Sequence, residues 1–208
     1  GSSGYRAEPD RYHLLVAWSC PWAHRTAIFR KLKKLDSVIS IAYSSGPRDQ
    51  GWAYADLGIE GFQPIDGHFR LHQVYSTHDP KSTSRVTVPT LWDKKTRKVV
   101  NNESSEIIRM LNSAFNAFTN DTTDYYPAPL RPQIDEINEL VYSHINNGVY
   151  RAGFARTQEA YEEAARKVFV GFDRLEGILS KQRLLCGDRV TEADWRAFVT
   201  LVRFDPIY

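Results

Sequence analysis

The 208-residue sequence predicts an α/β N-terminal half followed by an all-α C-terminal half. Short apolar and β-branched runs alternate with helical patterns up to about residue 117, whereas only helical spacing of apolar residues follows residue 132. Three prolines interrupt the segment between these halves. We therefore expect one domain over residues 5–117, a linker over 118–132 and a helical domain over 133–208.

The front half shows the element order strand, helix, strand and then strand, strand, helix, which is typical of a thioredoxin-like domain. The predicted strands cover residues 12–18, 38–43, 86–92 and 99–100, and the predicted helices run from 22 to 34 and from about 103 to 116. Residues 44–84 are rich in Gly, Pro, His and Asp without clear periodicity, so they are predicted to form a loop.

The back half contains helical patterns alone. Apolar residues recur at helical spacing from Ile134 to Ile145 and from Ala160 to Leu179. A third helix is predicted to begin at Thr191, because a hydroxyl residue followed three positions later by Asp194 is an N-capping pattern. These patterns predict a helical domain after the linker.

Charge and composition argue against several classes of function. The 27 basic and 25 acidic side chains nearly cancel, so we expect neither a nucleic-acid partner nor a membrane surface. No apolar run reaches the roughly 18 residues of a spanning helix. The six histidines show no metal-ligand spacing, and no metal is expected. Two widely separated cysteines suit a reducing compartment, and we expect a cytoplasmic protein.

Cys20 is the strongest candidate for a reactive group. It lies where the first strand gives way to a helix, and Pro21 follows at the first helical position, where proline is favourable. A thiol at a helix start faces free backbone N–H groups and the positive end of the helix dipole, and both favour the thiolate. The alternative is a small buried cysteine that only fills space.

Cys20 has no evident resolving partner in its own chain. A dithiol enzyme would carry a second cysteine at the position of Ala23, and Cys186 lies in the helical half, where core packing is expected. A thiol–disulfide cycle at Cys20 would therefore use an external thiol, for which glutathione is the obvious candidate.

Two further segments fit a peptide-like thiol as ligand. Val88 and Pro89 are predicted to open the third strand, a position that tolerates proline. Glu103 and Ser104 begin a helix, where acidic and hydroxyl side chains can hold the amino and carboxylate ends of a zwitterion such as a γ-glutamyl group. Simple helix capping remains the alternative for the second segment.

Five segments occur in one order along the chain and together resemble the glutathionyl-hydroquinone reductases, the Xi class of the glutathione transferases. They read SCPWAHRT at 19–26, RVTVPTLWD at 85–93, NNESSEII at 101–108, NGVY at 147–150 and TEADW at 191–195. The resemblance extends from about Tyr12 to Tyr208. It implies the glutathione transferase fold, with residues 5–117 as a thioredoxin-like glutathione-binding domain.

The resemblance also implies a reaction. In it, the Cys20 thiolate attacks the glutathione sulfur of a glutathionyl-hydroquinone, the hydroquinone leaves, and free glutathione converts the mixed disulfide into glutathione disulfide. Glutathione is then a co-substrate. The family's proton-donating tyrosine matches Tyr150, which lies at an expected break between helices, and a second tyrosine that tunes the thiolate matches Tyr208.

The resemblance implies a set of glutathione-binding residues as well. The matching positions are Trp52, Arg85, Val88, Pro89, Glu103 and Ser104. In thioredoxin-like proteins the matching proline is cis and leaves the backbone of the preceding residue available to a peptide-like ligand. Family members continue past the position of Tyr208, so the helical domain is expected to be incomplete relative to the family, and a homodimer is expected.

Two alternatives stay open at this point. An Omega-like thioltransferase or dehydroascorbate reductase would use the same Cys20 chemistry without needing Tyr150. A non-catalytic, transferase-like module that serves assembly would need no reactive cysteine at the helix start, and Cys20 argues against it.

Overall fold

A four-stranded mixed sheet organises the first half of the chain. The computed structural model describes residues 4–45 and 48–208. Its strands are β1 Tyr12–Val16, β2 Ile39–Tyr43, β3 Thr90–Asp93 and β4 Lys98–Asn101. The order across the sheet is β2-β1-β3-β4, with β2 parallel to β1 and the other neighbours antiparallel. This arrangement confirms the predicted thioredoxin-like class.

The helices of this half follow the strands in the predicted order. They are α1 Pro21–Leu32 between β1 and β2, α2 Leu71–His78, α3 Ser104–Ser113 after β4, and the short α4 Asn116–Thr119. All five residues of β1 are buried, as expected for an inner strand with neighbours on both sides. Helices α1 and α3 pack against each other, so their two N-termini belong to neighbouring helices.

Residues 44–84 were predicted to be a loop, and this prediction is wrong for α2. The helix begins after Arg70, whose backbone N–H donates to Gln73 Oε1 at 2.9 Å, and it buries Leu71, Val74 and Tyr75. Three buried positions in eight residues are too few to stand out as a periodic pattern. The third strand is also shorter than predicted, because it begins only at Thr90.

The chain separates into two units, one extending to Thr123 and the other from Asp124 to Tyr208. The second unit confirms the predicted helical class. After a 3₁₀ turn at Ala128–Leu130, its elements are α5 Arg131–Leu140, a π-helical turn Val141–Asn146, α6 Asn147–Gly153, α7 Gln158–Leu179, α8 Glu192–Leu201 and α9 Phe204–Ile207. Pro132 lies in the first turn of α5, where proline is tolerated.

The core of the second unit is formed by α5, the π-helical turn, α7 and α8. Its buried side chains are Ile134, Ile137, Val141, Ile145, Leu175, Leu185, Cys186, Ala193 and Ala197. The predicted N-cap of the third long helix is confirmed, because Asp194 Oδ2 accepts from the Thr191 backbone N–H at 2.8 Å and from the Thr191 hydroxyl at 3.0 Å. Tyr150, predicted to lie at a helix break, instead lies within α6.

Gly171 allows α7 to approach the π-helical turn closely. A Cβ atom at this position would lie 2.8 Å from His144 Cβ and 2.9 Å from Ile145 Cγ1. We expect Gly171→Ala to lower the free energy of unfolding by about 1–3 kcal/mol through overpacking. Gly177→Ala on α7 is the matched control, because an added Cβ there would meet no neighbouring element within 4 Å, and the helix propensity of alanine should add up to about 1 kcal/mol. Urea unfolding of both variants checks the prediction, and equal stabilities would contradict it.

His13 is expected to make the first unit less stable in mild acid. Its side chain is buried in β1, with Nδ1 2.6 Å from Ser40 Oγ, and burial together with the nearby charge of Lys94 lowers the pKa of His13 to about 4. In the unfolded chain His13 binds a proton below about pH 6.5, whereas in the folded chain it stays neutral down to about pH 4. Stability should therefore fall as the pH drops through this window, by about 3 kcal/mol in total.

The variant His13→Asn keeps a polar atom near Ser40 but does not titrate, so it should remove this dependence of stability on pH. Denaturant unfolding of both proteins at several pH values between about 7 and 4 measures it. If the free energy of unfolding fell equally with pH in the wild type and in the variant, groups other than His13 would cause the acid sensitivity.

Candidate active site

Cys20 occupies the N-cap of α1. Its backbone is extended (φ −92°, ψ 114°), and its carbonyl accepts the first helical hydrogen bond from His24 N at 3.0 Å. Pro21 is the first helical residue, as the sequence predicted. No acidic residue lies in the first turn of α1. The sulfur atom therefore lies at the positive end of a twelve-residue helix, where a thiolate is favoured.

The Cys20 side chain is buried, with 8% of its surface exposed, and it contacts the segment that leads into β3. Its Sγ atom lies 3.5 Å from the carbonyl oxygen of Val88, to which the thiol donates. The Val88–Pro89 peptide bond is cis, as the family resemblance implied, and both residues are buried. Cys20, Val88 and Pro89 are thus brought together within the first unit.

The N-terminus of α3 provides a second group of predicted residues. Glu103 is the N-cap, and its Oε1 atom accepts from the Ser105 backbone N–H and from the Ser105 hydroxyl, each at 3.1 Å. The Glu103 backbone N–H in turn donates to Asn101 Oδ1 at 2.7 Å. Glu103 is exposed and Ser104 is buried. This helix start presents a carboxylate, hydroxyls and N–H groups on neighbouring residues, which suits the two charges of an amino-acid group.

Arg25 connects the two helix starts. It lies on the buried face of α1 with 1% of its surface exposed, its Nη1 atom donates to Ser104 Oγ at 3.4 Å, and its guanidinium lies 4.6 Å from the ring centroid of Trp22. Its link to α3 was missed, although an arginine among the buried positions of an amphipathic helix is a signal that could have revealed it.

Trp52 and Arg85 lie elsewhere on the first unit. Trp52 is half-buried, its carbonyl accepts from Leu71 N at 3.0 Å, and the guanidinium of Arg48 stacks over its ring at 3.7 Å from the centroid. Arg85 is exposed, three residues before Val88.

Tyr150 and Tyr208 belong to the second unit. Tyr150 is half-buried on α6, and its ring centroid lies 6.0 Å from that of the exposed Phe154. Tyr208 is partly exposed after α9, and its backbone N–H donates to the carbonyl of Phe204 at 3.1 Å. Both residues are therefore partly exposed to solvent.

The second cysteine has a different environment. Cys186, like Cys20, forms no disulfide, and it is buried in the hydrophobic core of the second unit. Burial raises the pKa of the Cys186 thiol. A neutral thiol enclosed by apolar side chains is a poor nucleophile.

Within residues 4–45 and 48–208, no group of three or more His, Cys, Asp or Glu side chains is arranged to hold a metal ion. Across the same residues, none of the helices combines the length and the apolar character needed to cross a membrane.

Two family profiles match the chain. The glutathione S-transferase N-terminal domain matches residues 19–114, and the glutathione S-transferase C-terminal domain matches residues 158–208. The glutathionyl-hydroquinone reductase YqjG of Escherichia coli K12 is 51% identical over all of this chain and 64% of its own length. The glutathionyl-hydroquinone reductase PcpF of Sphingobium chlorophenolicum is 52% identical over 99% of this chain and 66% of its own length. The chain thus spans about two thirds of the length of these curated relatives.

Solved structures agree with the sequence matches. The glutathione-bound structure of YqjG superimposes with a TM-score of 0.94 at 50% identity, covering all of this chain and 68% of that one. The glutathione transferase Xi 1 of Trametes versicolor superimposes with a TM-score of 0.92 at 47% identity, covering 99% of this chain and 73% of that one.

Proposed function

Because the chain belongs to the Xi class of the glutathione S-transferase family, we propose that it is a glutathionyl-hydroquinone reductase with Cys20 as its nucleophile. The observation that carries the proposal is the position of Cys20. Its sulfur lies at the N-terminus of α1 and donates to the carbonyl of Val88, the residue before a cis-proline, and Cys20 forms no disulfide.

In the first step, the Cys20 thiolate attacks the sulfur atom of the glutathionyl-hydroquinone thioether. A new S–S bond forms between Cys20 and glutathione, and the C–S bond to the hydroquinone ring breaks. The electron pair of that bond stays on the ring carbon, which takes up a proton. The phenol of Tyr150 supplies this proton and is reprotonated from solvent. The ring is thereby reduced by two electrons, and the two sulfur atoms are oxidised to a disulfide.

In the second step, the thiolate of a free glutathione attacks the mixed disulfide on Cys20. Glutathione disulfide leaves, and the Cys20 thiolate is regenerated with the helix N-terminus stabilising its charge. An external thiol is needed because Cys186 is a buried core residue of the second unit with a raised pKa.

We assign glutathione binding to the first unit. Glu103 and Ser104 are proposed to hold the γ-glutamyl group at the start of α3, and the backbone of Val88 beside Pro89 is proposed to pair with the cysteinyl part of the tripeptide. Trp52 and Arg85 complete the proposed set. Glutathione-bound YqjG supports this choice of ligand, since that structure matches the whole of this chain at 50% identity.

Three further proposals concern Tyr208, the oligomeric state and the cellular compartment. Tyr208 is proposed to help tune the thiolate, and the protein is proposed to act as a homodimer. A reducing compartment such as the cytoplasm is proposed because neither cysteine forms a disulfide.

An Omega-like thioltransferase is the second candidate, because a relative from Schizosaccharomyces pombe, 48% identical over 98% of this chain, carries the name glutathione S-transferase omega-like 2. Steady-state rates with a glutathionyl-hydroquinone and with dehydroascorbate, each with glutathione as the reductant, separate the two functions. The proposal predicts that kcat/KM is higher for the hydroquinone conjugate. A preference for dehydroascorbate would favour the thioltransferase, and no turnover of either substrate would contradict both.

A further inference from the structure

Trp18 is an exposed tryptophan two residues before the proposed nucleophile. The Cys20 backbone N–H donates to the Ala17 carbonyl at 3.1 Å, which closes a turn with Trp18 and Ser19 at its centre. The Cα atoms at the two ends of such a turn lie within about 7 Å of each other, so Trp18 and Cys20 share one short segment. In this position 63% of the Trp18 surface is exposed. A large aromatic side chain left exposed beside a reactive group is a candidate contact for a ligand.

A column of aromatic rings supports the Trp18 indole. Its ring stacks on that of Tyr43, with centroids 4.5 Å apart and 10° between the planes, and Tyr43 stacks on Phe62 at 5.6 Å. The Tyr43 backbone N–H donates to the carbonyl of Gly61 at 2.6 Å. Gly61 has a φ of +83°, and a Cβ atom there would lie 3.0 Å from Tyr43 Cδ2, so the loop packs closely on the tyrosine ring. The indole is therefore oriented by a built support.

The order of the strands places this column and the Cys20 sulfur on two sides of β1. Tyr43 is the last residue of β2 and pairs in register with Val16 at the end of β1. The sulfur contacts Val88, which precedes β3 on the other side of β1. Because β3 is antiparallel to β1, its start lies at the same edge of the sheet as the end of β1. Two strand spacings, about 10 Å, separate β2 from β3 at this edge.

We propose that Trp18 is a specificity-determining residue that stacks on the hydroquinone ring of the conjugate while Cys20 attacks the sulfur. The inference rests on the proposed function. Glutathione is assigned there to Val88 and the start of α3, which follows β4, so the tripeptide lies on the β3 and β4 side of β1. The ring on its sulfur then extends across the end of β1 toward the exposed indole. Stacking of two planar rings adds to the burial of apolar surface and selects aryl conjugates over alkyl ones.

Binding of S-phenylglutathione and S-methylglutathione, measured by isothermal titration calorimetry, tests the proposal, because the two ligands differ only in the group on sulfur. The wild type should bind the phenyl ligand more tightly. Trp18→Leu keeps an apolar side chain against Tyr43 but removes the indole, so it should reduce this preference by about 3- to 10-fold and leave the affinity for the methyl ligand unchanged. The kcat/KM for a glutathionyl-hydroquinone should fall by a similar factor.

Two variants serve as controls. Trp18→Phe keeps an aromatic face at the same position and should retain the preference within about twofold. Phe118→Leu makes the same kind of change at another exposed aromatic residue of the first unit, on α4 beyond the far end of α3, and should alter neither affinity. Exchange of a small glutathione mixed disulfide that carries no ring should proceed at the wild-type rate in all three variants.

The outcomes separate this inference from the proposed function. An unchanged preference in Trp18→Leu, or an equal loss of affinity for both ligands, would overturn the role of Trp18. Equal affinities of the wild type for the two ligands would overturn it without any variant, which covers the case in which Trp18→Leu does not fold. A wild type that prefers the phenyl ligand through Trp18 but reduces no glutathionyl-hydroquinone would overturn the proposed reaction and leave aryl recognition by Trp18 standing.

Discussion

Replacing Cys20 by serine is expected to lower the rate of glutathionyl-hydroquinone reduction at least about 10³-fold. The substitution exchanges one atom, so the N-cap of α1 and the first helical bond to His24 should remain. A serine hydroxyl does not ionise near neutral pH and does not form a disulfide with glutathione, so both chemical steps are lost. Steady-state kinetics with the conjugate and glutathione measure the effect.

Cys186→Ser is the matched control for this prediction. It removes the other thiol of the chain, which lies in the core of the second unit, and should leave the activity of the folded protein close to that of the wild type. Its thermal unfolding should be recorded alongside, because a hydroxyl in that core is expected to reduce stability. A Cys20→Ser protein that retained more than about a tenth of the wild-type rate would show that another group attacks the conjugate.

Tyr150→Phe should cause the second largest loss, about 10²- to 10⁴-fold in kcat for the hydroquinone conjugate, because general-acid catalysis is worth that much. Phenylalanine retains the ring that packs beside Phe154, so the loss reports on the hydroxyl alone. Thiol–disulfide exchange with a small glutathione mixed disulfide needs no proton on carbon. That reaction should therefore continue at the wild-type rate in the same variant.

Tyr161→Phe provides the comparison for Tyr150. Tyr161 lies on α7 of the same unit and is partly exposed, so it should tolerate the same loss of a hydroxyl without a change in rate. If Tyr150→Phe also kept the full rate with the conjugate, the proton would come from another group, and the thioltransferase reading would gain support.

The order of elements in the first unit was predictable because its strands are short apolar runs bounded by turn residues. The periodic segments of the second unit were equally clear, and the cap at Thr191 and Asp194 was recognisable from two residues three positions apart. Helix α2 could not be predicted, because its eight residues bury only Leu71, Val74 and Tyr75, which is too few for a clear periodic pattern. The π-helical turn from Val141 to Asn146 lies close to Gly171 of α7, a tertiary contact that the local sequence pattern does not indicate.

The candidate site was likewise predictable only in part. The location of Cys20 at a helix start follows from Pro21 as its neighbour, which is local information. By contrast, the contact of the Cys20 sulfur with the Val88 carbonyl and the hydrogen bond from Arg25 to Ser104 join residues 68 and 79 positions apart. Such contacts depend on strand order and helix packing, and local patterns in a single sequence do not reveal them.

The central claim is that Cys20 carries a glutathione mixed disulfide during turnover, and intact-protein mass spectrometry after mixing with oxidised glutathione tests it most directly. We predict an adduct of one glutathione on the wild type and on Cys186→Ser, no adduct on Cys20→Ser, and removal of the adduct by free glutathione. A wild-type protein that gains no adduct, or a Cys20→Ser protein that still gains one, would contradict the account.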